Sequence, residues 1–280
     1  MKIKKAIILG AGFGKRMRPI TKKIPKPLVE INGVTLLENS IKFLSSLGVK
    51  HAVVNAHHLH KEITNFVKRK KFSCKVNIVV EKGKILNTGG GILNASKKFK
   101  KQSFFVLNPD TLWTRAYKNE FKKLEKVYLK NKKAIMLLVS KRKSFDKSFK
   151  GDFNLNSKNE ILRQKNNKFI FTGAQIINRS VFNKRKIKSF SMNKVWDDLI
   201  KKHELLGVVS KQRFFHINNY KVYKKINKNY WLDIISAFLV SSKYFAFENL
   251  PELSNWITKG FPVGISSKLI FLSDILKIFL

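Results

Sequence analysis

"ILGAGFGKRMRPITKKIPKPLVEING" runs from Ile8 to Gly33, and the fold turns on how it is read. An apolar run ends at Gly10; Gly12 and Gly14 follow, then Arg16 and Arg18 among the lysines 15, 22, 23 and 26. A bend with so many cations and so little side chain suits an anion lying against the backbone. Small residues let N–H groups approach a phosphate or a base, while Arg16 and Lys26 supply charge further along. Pro25 and Pro27 fix the chain on either side of Lys26, which suits a lysine that has to be aimed. "GAGFG" also resembles a dinucleotide fingerprint. That fingerprint wants glycine at its sixth place and a helix straight after, and here the sixth place is Lys15. A nucleoside triphosphate is the guest this bend favours.

Working outward, apolar runs alternate with segments of helical period. Ile3–Leu9 reads as a strand. Leu37, Ile41, Leu44 and Leu47 stand at helical spacing, with Gly48 to stop them. Val53–Val54 is a short strand; Ile63, Phe66 and Val67 mark a helix; Val76–Val80 and Phe104–Leu107 are strands. Phe121, Leu124 and Tyr128 mark another helix before the strand Ala134–Val139. This alternation predicts an α/β fold, a Rossmann-like, mostly parallel sheet with helices on both faces. Ligands of such sheets bind at the carboxyl ends of strands, where both Gly10–Gly14 and Asn108–Asp110 are placed. After residue 150, "GDFNL", "EILRQ" and "KFIFTGAQII" read as short strands and Val195–Ile200 as the start of a helix. Residues 227–280 hold five lysines against four acids, so the excess charge lies upstream. They read as a helical extension to a domain over residues 1–226.

The chain has 280 residues, 44% of them hydrophobic, enough to bury a sizeable core. Its single cysteine, Cys74, excludes an intramolecular disulfide and reads as core. "MKIKKAIILG" imitates a leader, but its apolar run is short and Lys15 and Arg16 follow, so it reads as a buried strand of a cytoplasmic protein. No stretch approaches the roughly 18 apolar residues of a membrane helix. A net charge of +41 invites a nucleic-acid reading. The lysines are scattered, however, and no nucleic-acid-reading motif appears, so no specific nucleic acid is expected. An anionic small substrate would profit from the same field. A non-catalytic nucleic-acid-binding or regulatory protein is the contrasting class.

"GAGFGKRMRPITKKIPKPLVEING" closely resembles the opening of the sugar-1-phosphate nucleotidyltransferases, G-x-G-x-R-hydrophobic-x-P-x-T-x-x-x-P-K-P. The resemblance implies a glycosyltransferase-A-like fold and an enzyme using an NTP and a sugar 1-phosphate. By matching position it gives nucleotide-binding roles to Gly10, Ala11, Gly12, Gly14, Arg16 and Lys26, with Arg16 and Lys26 also catalytic. "FFVLNPD" ends at Asp110, which the resemblance makes a catalytic Mg²⁺ ligand. "LNTGGGI" (Leu86–Ile92) reads as glycines before a helix, open to a flat base, which adds Thr88, Gly89 and Gly90 to the nucleotide set.

Within the family, "TGGGI" looks like the N-acetylmuramate α-1-phosphate uridylyltransferases of peptidoglycan recycling, as do "VVNAHHL", "DTLW", "GDFNL", "FTGAQII" and "FSMNKVWDDLI". Sugar-binding roles then fall to Asn108, Gly151, Asp152, Thr172 and Gly173. UTP and N-acetylmuramic acid 1-phosphate are the implied pair; guanylyl transfer to mannose 1-phosphate and thymidylyl transfer to glucose 1-phosphate are the alternatives. One departure stands out. The family ends its core with D-x-G-T-P, and its Asp is the second metal ligand. "FFHINNYKVYKKI" puts His216 there, a poorer Mg²⁺ ligand. Aligning "YWLDIIS" instead keeps an acid, Asp233, but loses G-T-P. Monomer and homo-oligomer are both left open.

Overall fold

The computed structural model describes residues 2–99, 102–183 and 185–227. The described part falls within the unit Met1–Asn227; residues 228–280, with the expected helical extension and Asp233, lie outside it. In chain order the elements are β1 (Lys5–Leu9), β2 (Glu30–Ile31), β3 (Val34–Thr35), α1 (Leu36–Ser46), β4 (His51–Ala56), α2 (His60–Arg69), β5 (Lys75–Val80) and α3 (Asn87–Ala95). There follow β6 (Ser103–Leu107), α4 (Tyr117–Asn131), β7 (Ala134–Ser140), β8 (Asn154–Leu155), β9 (Ile161–Leu162), β10 (Phe169–Asn178), α5 (Asn193–Lys201) and β11 (Leu205–Ser210).

Seven strands form one sheet in the order β11-β7-β10-β6-β1-β4-β5. β1 pairs in parallel with β4 and β6, β4 with β5, and β7 with β11. Only β10 runs antiparallel, between β6 and β7. The sheet is therefore mostly parallel with helices on both faces, as the alternation predicts. Neighbouring residues of a strand point to opposite faces, so strands covered on both sides read as unbroken apolar runs. Ile8, Val54 and Phe105 join α1, α2 and α4 in one core. Ile7, Val53 and Phe104 join α3 and α5 in the other.

Local chemistry sets the ends of these elements. Thr35 caps α1 by accepting the Glu38 N–H at 3.1 Å. Gly48, at φ +84°, ends the turn after it. Asn32 and Gly33 both have positive φ, as a two-residue hairpin demands, and they join β2 to β3.

β10 falls on the expected "KFIFTGAQII" segment, and β11 is the feature that the sequence does not anticipate. β10 runs as one ten-residue strand with an irregularity between Phe171 and Gln175, while β11 forms a sheet edge where the sequence predicts no strand. β11 is legible only once β7 supplies its register, since "LLGVVS" lacks a clear period of two.

Phe121 ties α4 to the sheet, with ring centroids 4.9 Å from Phe43, 5.3 Å from Trp113 and 5.7 Å from Phe105. Phe121→Ala is expected to lower the unfolding free energy by about 3–5 kcal/mol in a urea titration. A loss below about 1 kcal/mol would show that this cluster does not hold the helix.

Candidate functional site

β1 and β6 are parallel neighbours, with Ile8 beside Leu107, so their carboxyl ends open on the same edge. The glycine turn leaves one end and Asn108–Asp110 the other. Between them lies a cleft of about 380 Å³.

The turn itself is built to be open. Gly10 donates its N–H to Asn55, at 3.0 Å to the carbonyl and 2.9 Å to Oδ1. From Ala11 to Arg16 no backbone N–H donates to any protein atom among the described residues. Of these residues only Ala11 is buried, and donors that the protein does not use, lying beside a cleft, can meet an anion in place of water. Gly14 sits at φ +63° with the Thr21 and Lys26 side chains packed at 3.0–3.2 Å around the place a Cβ would fill, so only glycine fits there comfortably. Thr21 pins the turn from below, its hydroxyl donating to Gly14 O at 2.8 Å.

Lys26 opens a single 3-10 turn, Lys26–Leu28, with Pro25 at φ −64° before it. Leu28 donates to Pro25 O at 2.8 Å and Val29 to Lys26 O at 3.1 Å, which aims the lysine stem. Its ammonium meets Asp110 Oδ2 directly, across 84 residues of sequence. Arg16 is exposed on the cleft lining and has no ion-pair partner among the described residues.

Asp110 is strapped on two sides. Its carbonyl accepts the Ile217 N–H at 2.7 Å, Leu112 donates to Phe215 O at 2.9 Å, and Thr111 donates its hydroxyl to Thr172 O at 2.7 Å. The first two bonds bring His216 to Asp110, with Nε2 3.1 Å from Oδ2. The ring lies off the line a hydrogen bond needs and packs against Phe149 with centroids 5.7 Å apart. Burial alone would raise the Asp110 carboxyl; His216 and then Lys26 outweigh it and hold the group well below the ordinary carboxylate range.

A divalent cation finds part of a site here. Asp110 Oδ1 and both ring nitrogens of His216 are buried and make no hydrogen bond. One hard oxygen with unused lone pairs fits Mg²⁺, while imidazole suits it poorly. Among the described residues no cluster of three or more His, Cys, Asp or Glu could hold a metal. The other ligands would have to be phosphates and water.

Gly10, Ala11, Gly12 and Gly14 thus share the cleft with Arg16 and Lys26, and Thr88, Asn108 and Asp110 line its other walls. Gly89 and Gly90 do not line it. They lie inside α3 rather than ahead of it, where a Cβ would stand 2.4 Å from the Phe190 ring and 2.1 Å from Lys188 O respectively. Those glycines let a distant loop dock on the helix.

Most of the expected sugar set is also off the cleft lining. Gly151 packs on Asn167, with 2.4 Å from an added Cβ to the Asn167 carbonyl. Asp152 accepts the Phe171 N–H at 2.9 Å, and Thr172 donates inward to Leu137 O at 2.8 Å. Gly173, at φ +90°, would put a Cβ 2.8 Å from Asn108 Cβ, so its bareness gives Asn108 its place beside the cleft.

Asn55, Ile85, Asn87 and Asn218 line the cleft without having been anticipated. Only Asn87 carried a local signal, as a residue that tolerates the φ of +59° it adopts at the start of α3.

The Nucleotidyl transferase family pattern matches residues 5–149, just over half of the chain. The N-acetylmuramate alpha-1-phosphate uridylyltransferase of Caulobacter vibrioides is 34% identical over 111 residues, which are 39% of this chain and 46% of that protein. The D-glycero-alpha-D-manno-heptose 1-phosphate guanylyltransferase of Campylobacter jejuni is 35% identical over 108 residues, 39% of this chain and 48% of that one. Each match therefore spans less than half of the relative. The crystal structure of HddC from Yersinia pseudotuberculosis shares the fold, with a TM-score of 0.67 at 21% identity over 81% of this chain and 100% of that one.

Because the carboxyl of Asp110 is held below its unfolded value of about 3.9, the stability it adds is present above that value and lost as pH falls. Asp110→Asn removes this dependence. Between about pH 5 and pH 2 the urea unfolding free energy is expected to fall less steeply in the variant than in the wild type. Equal slopes would show that Lys26 and His216 do not stabilise the carboxylate.

Proposed function

The chain belongs to the nucleotidyl transferase family, and from that premise we propose that it joins a nucleoside triphosphate to a sugar 1-phosphate with release of pyrophosphate. One observation carries this: Ala11, Gly12, Gly14, Lys15 and Arg16, whose N–H groups meet no protein acceptor among the described residues, line one cleft with the Lys26–Asp110 pair, and Arg16 has no ion-pair partner among those residues. Such a cleft offers distributed positive potential around a polyphosphate, together with a carboxylate that could hold a metal beside it. Phosphoryl and nucleotidyl transfer need mainly positioning and neutralisation of charge spread over oxygens.

In this mechanism the triphosphate lies along the turn, its base toward Gly10–Gly12 and Thr88. The sugar phosphate oxygen attacks the α-phosphorus in line, the bond from that phosphorus to the bridging oxygen breaks, and pyrophosphate leaves with the electron pair. Arg16, free of any protein carboxylate among the described residues, meets the departing phosphates. Lys26 neutralises the α-phosphate or the attacking group, and its contact with Asp110 keeps it at the boundary between the two substrates. A bound divalent cation, Mg²⁺ in the family pattern, would rest on Asp110 and neutralise phosphate oxygens. His216 keeps that carboxyl oriented, and Asn108 stands where a sugar ring would be met.

UTP and N-acetylmuramic acid 1-phosphate are the favoured pair. The support is the "TGGGI" segment and the similarity to a uridylyltransferase; the similarity to a guanylyltransferase makes GTP the rival. The product would feed peptidoglycan recycling in the cytoplasm.

Pyrophosphate release, measured with each of four NTPs against a panel of sugar 1-phosphates, tests both levels. The highest rate is expected with UTP and N-acetylmuramic acid 1-phosphate. A maximum with GTP would reassign the base, and no release with any pair would overturn the proposal. Asp110→Asn is expected to cut turnover by at least about a hundredfold while the circular dichroism spectrum stays unchanged. Near-normal turnover would remove Asp110 from the mechanism.

A further inference from the structure

Glu81 is a buried acid with no part in the chemistry above. It is 3% exposed and follows β5 directly, donating its own N–H to Ala56 O at 2.8 Å. Both carboxyl oxygens accept hydrogen bonds. Oε1 takes one from Asn55 Nδ2 at 2.6 Å, and Oε2 takes one from the Leu86 N–H at 2.8 Å. Asn55 is itself 2% exposed, and its Oδ1 accepts the Gly10 N–H at 2.9 Å. Gly91 closes over the pair: a Cβ there would lie 2.6 Å from Asn55 Nδ2 and 2.7 Å from Glu81 Oε1. One chain of hydrogen bonds therefore runs from the end of β1, through β4 and the end of β5, to the residue that precedes α3.

The two ends of this chain are the two walls of the cleft. At one end, Asn55 fixes the Gly10 peptide, the hinge from which the free N–H groups of Ala11 to Arg16 begin. At the other, Leu86 stands immediately before Asn87 and Thr88, which line the opposite wall. We propose that Glu81 is a positioning residue for the nucleotide: acting through Asn55 and Leu86, it sets the spacing between the glycine turn and the Asn87–Thr88 wall. This rests on the cleft being a triphosphate seat.

The directions of these bonds make the proposal testable. Every donor in the chain points toward Glu81, so the carboxyl is the only place where two donors can end. Glu81→Gln offers one acceptor to two donors, and rotating the Asn55 amide to help only moves the mismatch to the Gly10 N–H. Asn55→Asp sets two carboxyl oxygens against each other at the 2.6 Å contact. The double variant Asn55→Asp/Glu81→Gln restores the count. The carboxylate introduced at position 55 would accept from Gly10 and from the new amide at position 81, whose oxygen would accept from Leu86.

The test is calorimetric titration of the four NTPs into wild type, both single variants and the double, beside KM and kcat for the favoured NTP and a urea unfolding curve for each protein. Each single variant is expected to weaken NTP binding about tenfold or more, from one buried donor left unpaired or one repulsive contact. KM for the NTP should rise by a similar factor while kcat stays within about threefold. The double variant should return to within about threefold of wild-type affinity. Single variants that lose only unfolding free energy, with unchanged NTP affinity, would reduce Glu81 to a structural acid and overturn the proposal. If neither single variant folds, the double decides: near-wild-type binding supports the coupling and lost binding overturns it. A folded wild type that binds none of the four NTPs overturns the triphosphate seat itself, and the coupling with it, an outcome separate from any difference among the variants.

Discussion

A stretch of backbone whose N–H groups find no acceptor among the described residues is the constraint around which this structure is arranged. Residues 11 to 16 leave their donors unspent beside a cleft, with Gly14 in a conformation that packs against Thr21 and Lys26. Unpaired donors of this kind cost stability unless water or a ligand meets them. Several neighbouring features serve to hold the turn in this state. Thr21 ties it down at Gly14, Met17 is fully buried beneath it, and Asn55 consumes the one N–H that would otherwise compete, that of Gly10.

Charge in the cleft follows from strand order. Because β1 and β6 are parallel and adjacent, the lysine delivered by the "PKP" turn reaches the aspartate that ends "FFVLNPD". The segment around His216 reaches the same carboxyl by pairing its backbone with residues 110–112. Three elements far apart in sequence thus meet at one carboxylate oxygen, and the Coulombic gain outweighs the cost of desolvating the carboxylate. The overall excess of lysine is a weaker clue than this local arrangement. A net charge of +41 sets a favourable field for anions everywhere, while only the cleft turns it into a geometry.

Much of this was legible in the sequence, for physical reasons. Strands covered on both faces, such as Lys5–Leu9 and Ser103–Leu107, read as continuous apolar runs, and α1 shows its terminal glycine, Gly48. The glycine turn, Arg16, Lys26 and Asp110, which line the cleft, each lie in a local pattern. Gly89 and Gly90 show the limit. A glycine needed for close approach looks the same whether the approaching group is a nucleobase or Phe190, a distant stretch of the same chain. Thr172 and Asp152 lie off the cleft lining for a similar reason: their polar atoms meet Leu137 O and the Phe171 N–H, partners that no spacing rule names. Asn55 and Glu81 were invisible because a buried hydrogen-bonded pair 26 residues apart leaves no periodic trace.

The central claim is that the free donors of the turn hold phosphate. Amide ¹H–¹⁵N shifts of residues 11 to 16, followed as UTP and then uridine are titrated into the protein, test it most directly. The amides of residues 14 to 16, beyond the stretch that the base approaches, are expected to move with UTP, saturating together, and to stay in place with uridine, which has the base and the sugar but no phosphate. Amides that ignore UTP while other parts of the protein respond to it would contradict the account.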